Sequence, residues 1–226
     1  MNKTCVLIMG HDKYSFVWDT LMYSINKYWP DCPYPIFMTT NVKKAPKGSL
    51  TLPMGDENDN WSYMMREAVS YLSAYFEYVI VICEDFWLTE KWSTGAINGF
   101  VELMAKDNLD HIRLIPSGES GKPFEIDYRL SLFTPEAQYK TSMNVGIWRI
   151  MALYDLLVEG ESIWEFETQA GTRIKDTSKY LAVSTWDYVH YVHPDDPNFF
   201  WSSGVIESGD YKKGAYEYAE KEVITL

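Results

Sequence analysis

Two unbroken apolar runs, Cys5-Val-Leu-Ile-Met9 and Tyr78-Val-Ile-Val-Ile-Cys83, constrain the fold most. A strand with one wet face alternates apolar and polar residues. A run that is apolar at every position predicts a strand covered on both faces, as in a parallel sheet with helices above and below. The intervening sequence fits that layout. A polar turn, His11-Asp12-Lys13-Tyr14-Ser15, leads into a helix over 16–29, with Val17, Leu21, Ile25 and Tyr28 at helical spacing and Pro30 and Pro33 to stop it. Pro35-Ile-Phe-Met-Thr39 reads as a second strand, which completes a β-α-β unit with parallel pairing.

Residues 41–60 are loop-rich, and Asp59 or Asn60 is placed to cap a helix over 61–76 whose buried stripe is Trp61, Met65, Ala68, Leu72 and Phe76. Beyond the 78–83 strand the pattern predicts a helix over 92–105 and a strand over 111–115. Residues 116–140 read as irregular, with a strand near 129–133. Residues 142–149 alternate and predict a strand with one face exposed, followed by a helix over 152–157. The tail has strand-like runs at 188–192 and 204–207 and a terminal helix over 212–221. The expectation is one α/β domain over 1–226 with a mixed sheet.

A net charge of −12 does not suit a nucleic-acid binder, which needs a basic stripe against phosphate, or docking on anionic lipid. An acidic protein that binds an anionic nucleotide must compensate locally, and a divalent cation is one means. Nine Trp and seventeen Tyr suit sugar stacking or an aromatic core equally well. The three cysteines, Cys5, Cys32 and Cys83, form neither a disulfide framework nor a metal-type spacing. The N-terminal apolar run is too short for a signal peptide or a membrane span, so a reducing cytoplasm is the expected location, with no transmembrane segment.

The strongest local signal for chemistry is Glu84-Asp85, which closes the 78–83 strand. Open α/β sheets bind ligands beyond the carboxyl ends of their strands. Adjacent residues there point to opposite sides, so one of the two carboxylates suffices to touch Mg²⁺ or Mn²⁺ bridging a diphosphate. An ordinary turn at a strand end is the competing reading. In Glu161-Ser-Ile-Trp-Glu-Phe-Glu167, Trp164 can stack on a sugar, and Glu165 or Glu167 can deprotonate an acceptor hydroxyl. If the segment is extended, both carboxylates fall on one side; the competing reading is a capped helix start with its charges in water. His11 to Tyr14 sits at the end of the first strand, where its backbone and the Tyr14 ring can hold a base and ribose, without a dinucleotide or P-loop glycine fingerprint. Arg66 can reach a phosphate or remain a solvated helix residue. His190 and His193, followed by Asp195 and Asp196, point to opposite faces of a strand; one histidine is a candidate third ligand for a cleft metal.

His11–Ser15, then residues 28–37, Trp61-Ser62, Glu84-Asp85-Phe86-Trp87-Leu88, residues 113–116, Gly146-Ile-Trp-Arg149 and residues 161–167 occur in that order. Over roughly residues 5–210 the chain resembles small glycosyltransferase-like proteins of bacterial surface-polysaccharide clusters and, more distantly, the GT-A domain of a chlorella-virus capsid-glycosylating enzyme. The resemblance implies a GT-A-like mixed sheet flanked by helices, with a nucleotide half over about 1–115 and an acceptor half over about 116–226. It implies transfer of a sugar from a nucleoside diphosphate sugar to a glycan or lipid-linked acceptor hydroxyl, with inversion and a Mn²⁺ or Mg²⁺ cofactor. Glu84-Asp85-Phe86 takes the place of the usual Asp-x-Asp, with Asp85 as metal contact and Glu84 as auxiliary. Glu165 or Glu167 stands where such enzymes place their base. His11, Asp12, Lys13, Tyr14, Trp61 and Arg66 fall to the nucleotide, and Trp148 and Trp164 to the acceptor. The tail over 205–211 lacks the basic residues usual there. A nucleotidyltransferase, or a carbohydrate-binding protein that has lost catalysis, are the alternatives.

Overall fold

The computed structural model describes residues 3–55, 60–185, 187–189 and 204–226. Its first half is the expected β-α-β frame. β1 (Thr4–Met9) pairs in parallel with β2 (Ile36–Thr40), and α1 (Trp18–Tyr28) connects them after a 3₁₀ turn, Asp12–Val17. β3 (Leu50–Pro53), inside the segment read as loop, adds a parallel edge strand to β2. α2 (Trp61–Ser73) starts on Asn60, whose side chain accepts from Tyr63 N, and leads to β4 (Tyr78–Cys83), parallel to β1.

The second half turns the sheet mixed. After α3 (Thr94–Lys106) come β5 (His111–Arg113), a hairpin of β6 (Ser120–Pro123) and β7 (Leu130–Phe133), and β8 (Gly146–Arg149). Then follow α4 (Ile150–Leu156), α5 (Ile163–Gln169) and β9 (Tyr180–Val183). Among the described residues nine strands form one sheet in the order β3-β2-β1-β4-β8-β5-β9-β7-β6. β8 lies antiparallel to both neighbours, so β5 runs parallel to β4 and β1. The tail adds a small ribbon of β10 (Ile206–Glu207) and β11 (Asp210–Tyr211), then α6 (Lys213–Glu222).

The continuous apolar runs are explained by two cores. Val6, Ile8, Ile80 and Ile82 pack with residues of α1 and α3, while Cys5, Leu7, Val79 and Val81 pack with residues of α2 and α4. Each fully buried aliphatic side chain here is worth ~1.5–3 kcal/mol. The expectation of an exposed face on the 142–149 strand is corrected: Gly146, Ile147 and Trp148 are all buried, because β8 is central and covered on both sides. The expected strand over 188–192 lies largely outside the described residues.

Candidate functional site

Parallel β1, β4 and β5 end on the same edge of the sheet, so Gly10, Glu84-Asp85 and Arg113 are brought together although distant in sequence. They line a cleft of about 1430 Å³ together with His11, Lys13, Tyr14, Trp61, Ser142 to Asn144, residues 160–165, Glu167 and Lys212. The antiparallel β8 delivers residues 142–144 to the same edge from its amino end.

The turn after β1 is tied on three sides. Gly10 exchanges hydrogen bonds with Thr39 Oγ1 at 2.9 and 2.8 Å, and a Cβ at residue 10 would lie 2.6 Å from Thr39 O, so glycine permits this approach. His11 N donates to Glu84 Oε2 at 3.0 Å. The Asp12 carboxylate accepts from the backbone N–H groups of Asn41, Val42 and Lys43. Against the cost of desolvation, these donors hold the Asp12 carboxyl below its ordinary range. Asp12 therefore braces the turn, while Lys13 and Tyr14 face the cleft, the Lys13 ammonium 5.3 Å from the Tyr14 ring centre.

The two acids after β4 differ. Glu84 is buried and gives Oε2 both to His11 N and to Trp18 Nε1, in a short hydrogen bond. Burial pushes its carboxyl up to about 8. Asp85 is half-buried; burial pushes it up to about 6, opposed by the Lys212 charge and the Ile206 N–H. Gly204, at φ +99°, packs on this carboxylate, and a Cβ there would overlap it. Among the described residues no three His, Cys, Asp or Glu side chains gather as a ready-made metal cage. Asp85 alone fits a looser arrangement, since Mg²⁺ commonly takes one or two carboxylates with substrate phosphates and water supplying the rest.

The 161–167 segment is helical, which separates its two glutamates. Glu165 and Ser162 form a capping box: Ser162 Oγ accepts from Glu165 N, and the Glu165 carboxylate accepts from Ser162 N at 2.8 Å. The Ser162 N–H and hydroxyl, both donating to Oε2, hold the Glu165 carboxyl low. Glu167, two residues on, turns the other way, toward the 142–143 segment at the cleft wall. Its Oε1 accepts from Ser142 Oγ at 2.9 Å and Met143 N at 2.6 Å. Burial nevertheless holds its carboxyl above the ordinary glutamate value, against those bonds and the Arg113 charge. Trp164 is 75% exposed at the cleft.

Two expected site residues are used elsewhere. Trp148 is fully buried with its ring stacked 3.7 Å from that of His111, leaving no face for an acceptor. Arg66 donates to Leu157 O and Tyr154 Oη and lies over the Tyr154 ring, so it joins α2 to α4 rather than meeting a phosphate. His190, His193, Asp195 and Asp196 lie outside the described residues. Sequence reasoning missed Arg113 and Lys212, cleft cations that offset part of the local acidity. The available signal was position: Arg113 closes a strand parallel to β4.

No protein-family model and no curated protein matches the chain. Solved structures do. A structure of S. aureus TarS is 13% identical, with 84% of this chain and 36% of that chain covered and a TM-score of 0.50. The fold is GT-A-like. A structure of TarS residues 1–349 gives 13% identity, coverage of 84% and 59%, and a TM-score of 0.48. A nucleotide-diphospho-sugar transferase from Desulfovibrio desulfuricans G20 gives 9%, 81% and 79%, and 0.45. The chain thus spans 59% and 36% of the two TarS chains. In this GT-A-like fold no described helix is long and apolar enough to cross a membrane.

Proposed function

We propose that this protein transfers a sugar from a nucleoside diphosphate sugar to a hydroxyl of a glycan or lipid-linked acceptor, in the setting of bacterial surface-polysaccharide assembly. The observation that carries the reading is the pairing, in one strand-end cleft, of two carboxyls held high by burial, Asp85 and Glu167, with the cations Lys13, Arg113 and Lys212.

The turn over 11–14 and Trp61 receive the nucleotide, and residues beyond about 115 receive the acceptor. Asp85 would hold Mn²⁺ or Mg²⁺, which when bound neutralises charge on the departing diphosphate. Glu167 takes the proton from the acceptor hydroxyl. A proton affinity raised above that of an ordinary glutamate suits a base better. Glu165 is less suited, because the Ser162 donors hold its carboxyl low and leave it the weaker base. The acceptor oxygen bonds to the anomeric carbon as the bond to the diphosphate oxygen breaks, and the nucleoside diphosphate leaves with that electron pair. One displacement inverts the anomeric centre. Trp164 offers its exposed ring to an acceptor sugar.

A thermal-shift screen against UDP-, GDP-, dTDP- and CMP-sugars and their nucleotides, with Mn²⁺, Mg²⁺ or EDTA, tests the reading. A metal-dependent rise in Tm with one nucleotide is expected, since a ligand of the folded state stabilises it by mass action. No shift with any nucleotide at millimolar concentration sinks the proposal. Pyrophosphate release from a nucleoside triphosphate and a sugar phosphate would replace it with nucleotidyl transfer.

A further inference from the structure

We infer that Glu84 is a positioning residue for the nucleotide turn, its Oε2 taken up by that turn and the helix behind it rather than by a metal. The inference rests on the proposed function for its ligand, and on the geometry around one oxygen atom for its substance. Glu84 Oε2 accepts from His11 N, in the turn after β1, and from the indole N–H of Trp18, the first residue of α1. Glu84 and Trp18 are both buried. One carboxylate oxygen therefore fixes the turn and the start of the helix that follows it to the end of β4, beside Asp85.

The same turn is braced on its other flanks by Thr39 and Asp12. Glu84 supplies the brace on the β4 side, which is the side where the metal contact and the nucleotide must be held in register. An oxygen that already takes two N–H donors is committed to the protein by them. Asp85 is the less buried of the two and lines the cleft beside the Lys212 charge, with Gly204 of the tail against its carboxylate. The two adjacent acids thus divide the work: Asp85 meets the ligand, and Glu84 holds the loop that meets it.

The test compares Glu84→Ala, Glu84→Gln and Trp18→Phe in the full chain. The probe is whichever of UDP, GDP or dTDP gives the largest wild-type thermal shift, titrated at fixed and at varied Mn²⁺. Ala removes the acceptor, and Kd for the nucleotide should rise about ten-fold with Mn²⁺ half-saturation within about two-fold of wild type. A glutamine oxygen can accept from both donors, so Gln should restore Kd to within about three-fold. Trp18→Phe keeps Glu84 and deletes one donor; it should give an intermediate Kd, and it carries the test if the Ala variant does not fold. If Ala and Gln both raise the Mn²⁺ requirement to the same extent, Glu84 is a metal ligand and the inference is overturned. Hydrogen exchange of residues 10–18 serves as the arm independent of function. The His11 amide should exchange at least about ten-fold faster in the Ala variant and recover in the Gln variant. If wild type binds no nucleotide, the proposed function fails while this arm still decides the role of Glu84; unchanged exchange overturns it.

Discussion

Replacing Glu167 by Gln isolates proton transfer from structure. In the wild type both hydrogen bonds to this side chain, from Ser142 Oγ and Met143 N, end on Oε1. A glutamine carbonyl in the same place accepts both. The folded state therefore keeps its contacts, and stability should change by no more than ~1 kcal/mol, the scale of one net hydrogen bond. Nucleotide affinity should hold within about two-fold, since the nucleotide turn is a separate segment. What is lost is the basic oxygen. General-base catalysis is worth ~10²–10⁴ in rate, or ~2.7–5.4 kcal/mol of barrier. The assay is release of nucleoside diphosphate from the donor chosen by thermal shift, with and without acceptor, across pH. Wild-type rate should rise with pH through an ionisation above the ordinary glutamate value, because burial raises the Glu167 carboxyl and the base must be ionised to act. In Glu167→Gln the rate should fall by the stated factor and lose that acid limb. A variant that keeps rate within about three-fold, with the acid limb intact, would show that the proton goes elsewhere.

Trp164→Ala should leave stability within ~0.5 kcal/mol, since the ring is 75% exposed, while raising acceptor KM about ten-fold and leaving donor Kd unchanged. An unchanged KM refutes its stacking role. Gly204→Ala forces both a positive φ and an overlap with the Asp85 carboxylate, so it should cost ~1–3 kcal/mol and weaken the metal-dependent thermal shift; a neutral result would show that the tail does not pack there. His111 is fully buried, and burial lowers it from 6.5 to about 3. The unfolded chain then binds more protons below pH 6.5, so stability falls as pH drops from 6.5 toward 3, by up to ~1.4 kcal/mol per pH unit. His111→Phe should flatten that part of the profile in urea midpoints between pH 7 and 5, and identical slopes would refute the assignment.

The frame of the fold was legible because β1 and β4 are apolar at every position, a pattern that only a doubly covered strand tolerates. β3, β6 and β9 were not: β3 and β6 lie in proline- and glycine-bearing segments that read as loop, and β9 sits in a tail whose apolar run Tyr180–Val183 has no turn signal to set it off. Trp148 was misjudged because an alternating segment implies one wet face, and nothing local reveals that β8 enters the middle of a sheet. The position of Asp85 followed from strand-end logic alone. The Glu165 and Glu167 pair shows the reverse case. Ser162-x-x-Glu165 is a helix-start signature, and it outweighed the extended reading, turning the two carboxylates to different sides. Arg113 and Lys212 carry no motif; their place in the cleft is set by long-range pairing and by the tail.

The central placement of β8 also orders the birth of the molecule. Everything through β4 can assemble from a sheet whose neighbours are already made, since β3, β2, β1 and β4 pair among themselves. The outer edge of β4, however, waits for Gly146 to meet Val81, the pairing through which β5 and the strands beyond it join the sheet. A half-synthesised chain therefore presents an open ladder of valines and isoleucines to its surroundings. Such an edge is a template for pairing with another nascent chain. Long-range closure of this kind is slow, so the yield of active protein should depend on chaperone supply and on translation rate between the codons for β4 and β8.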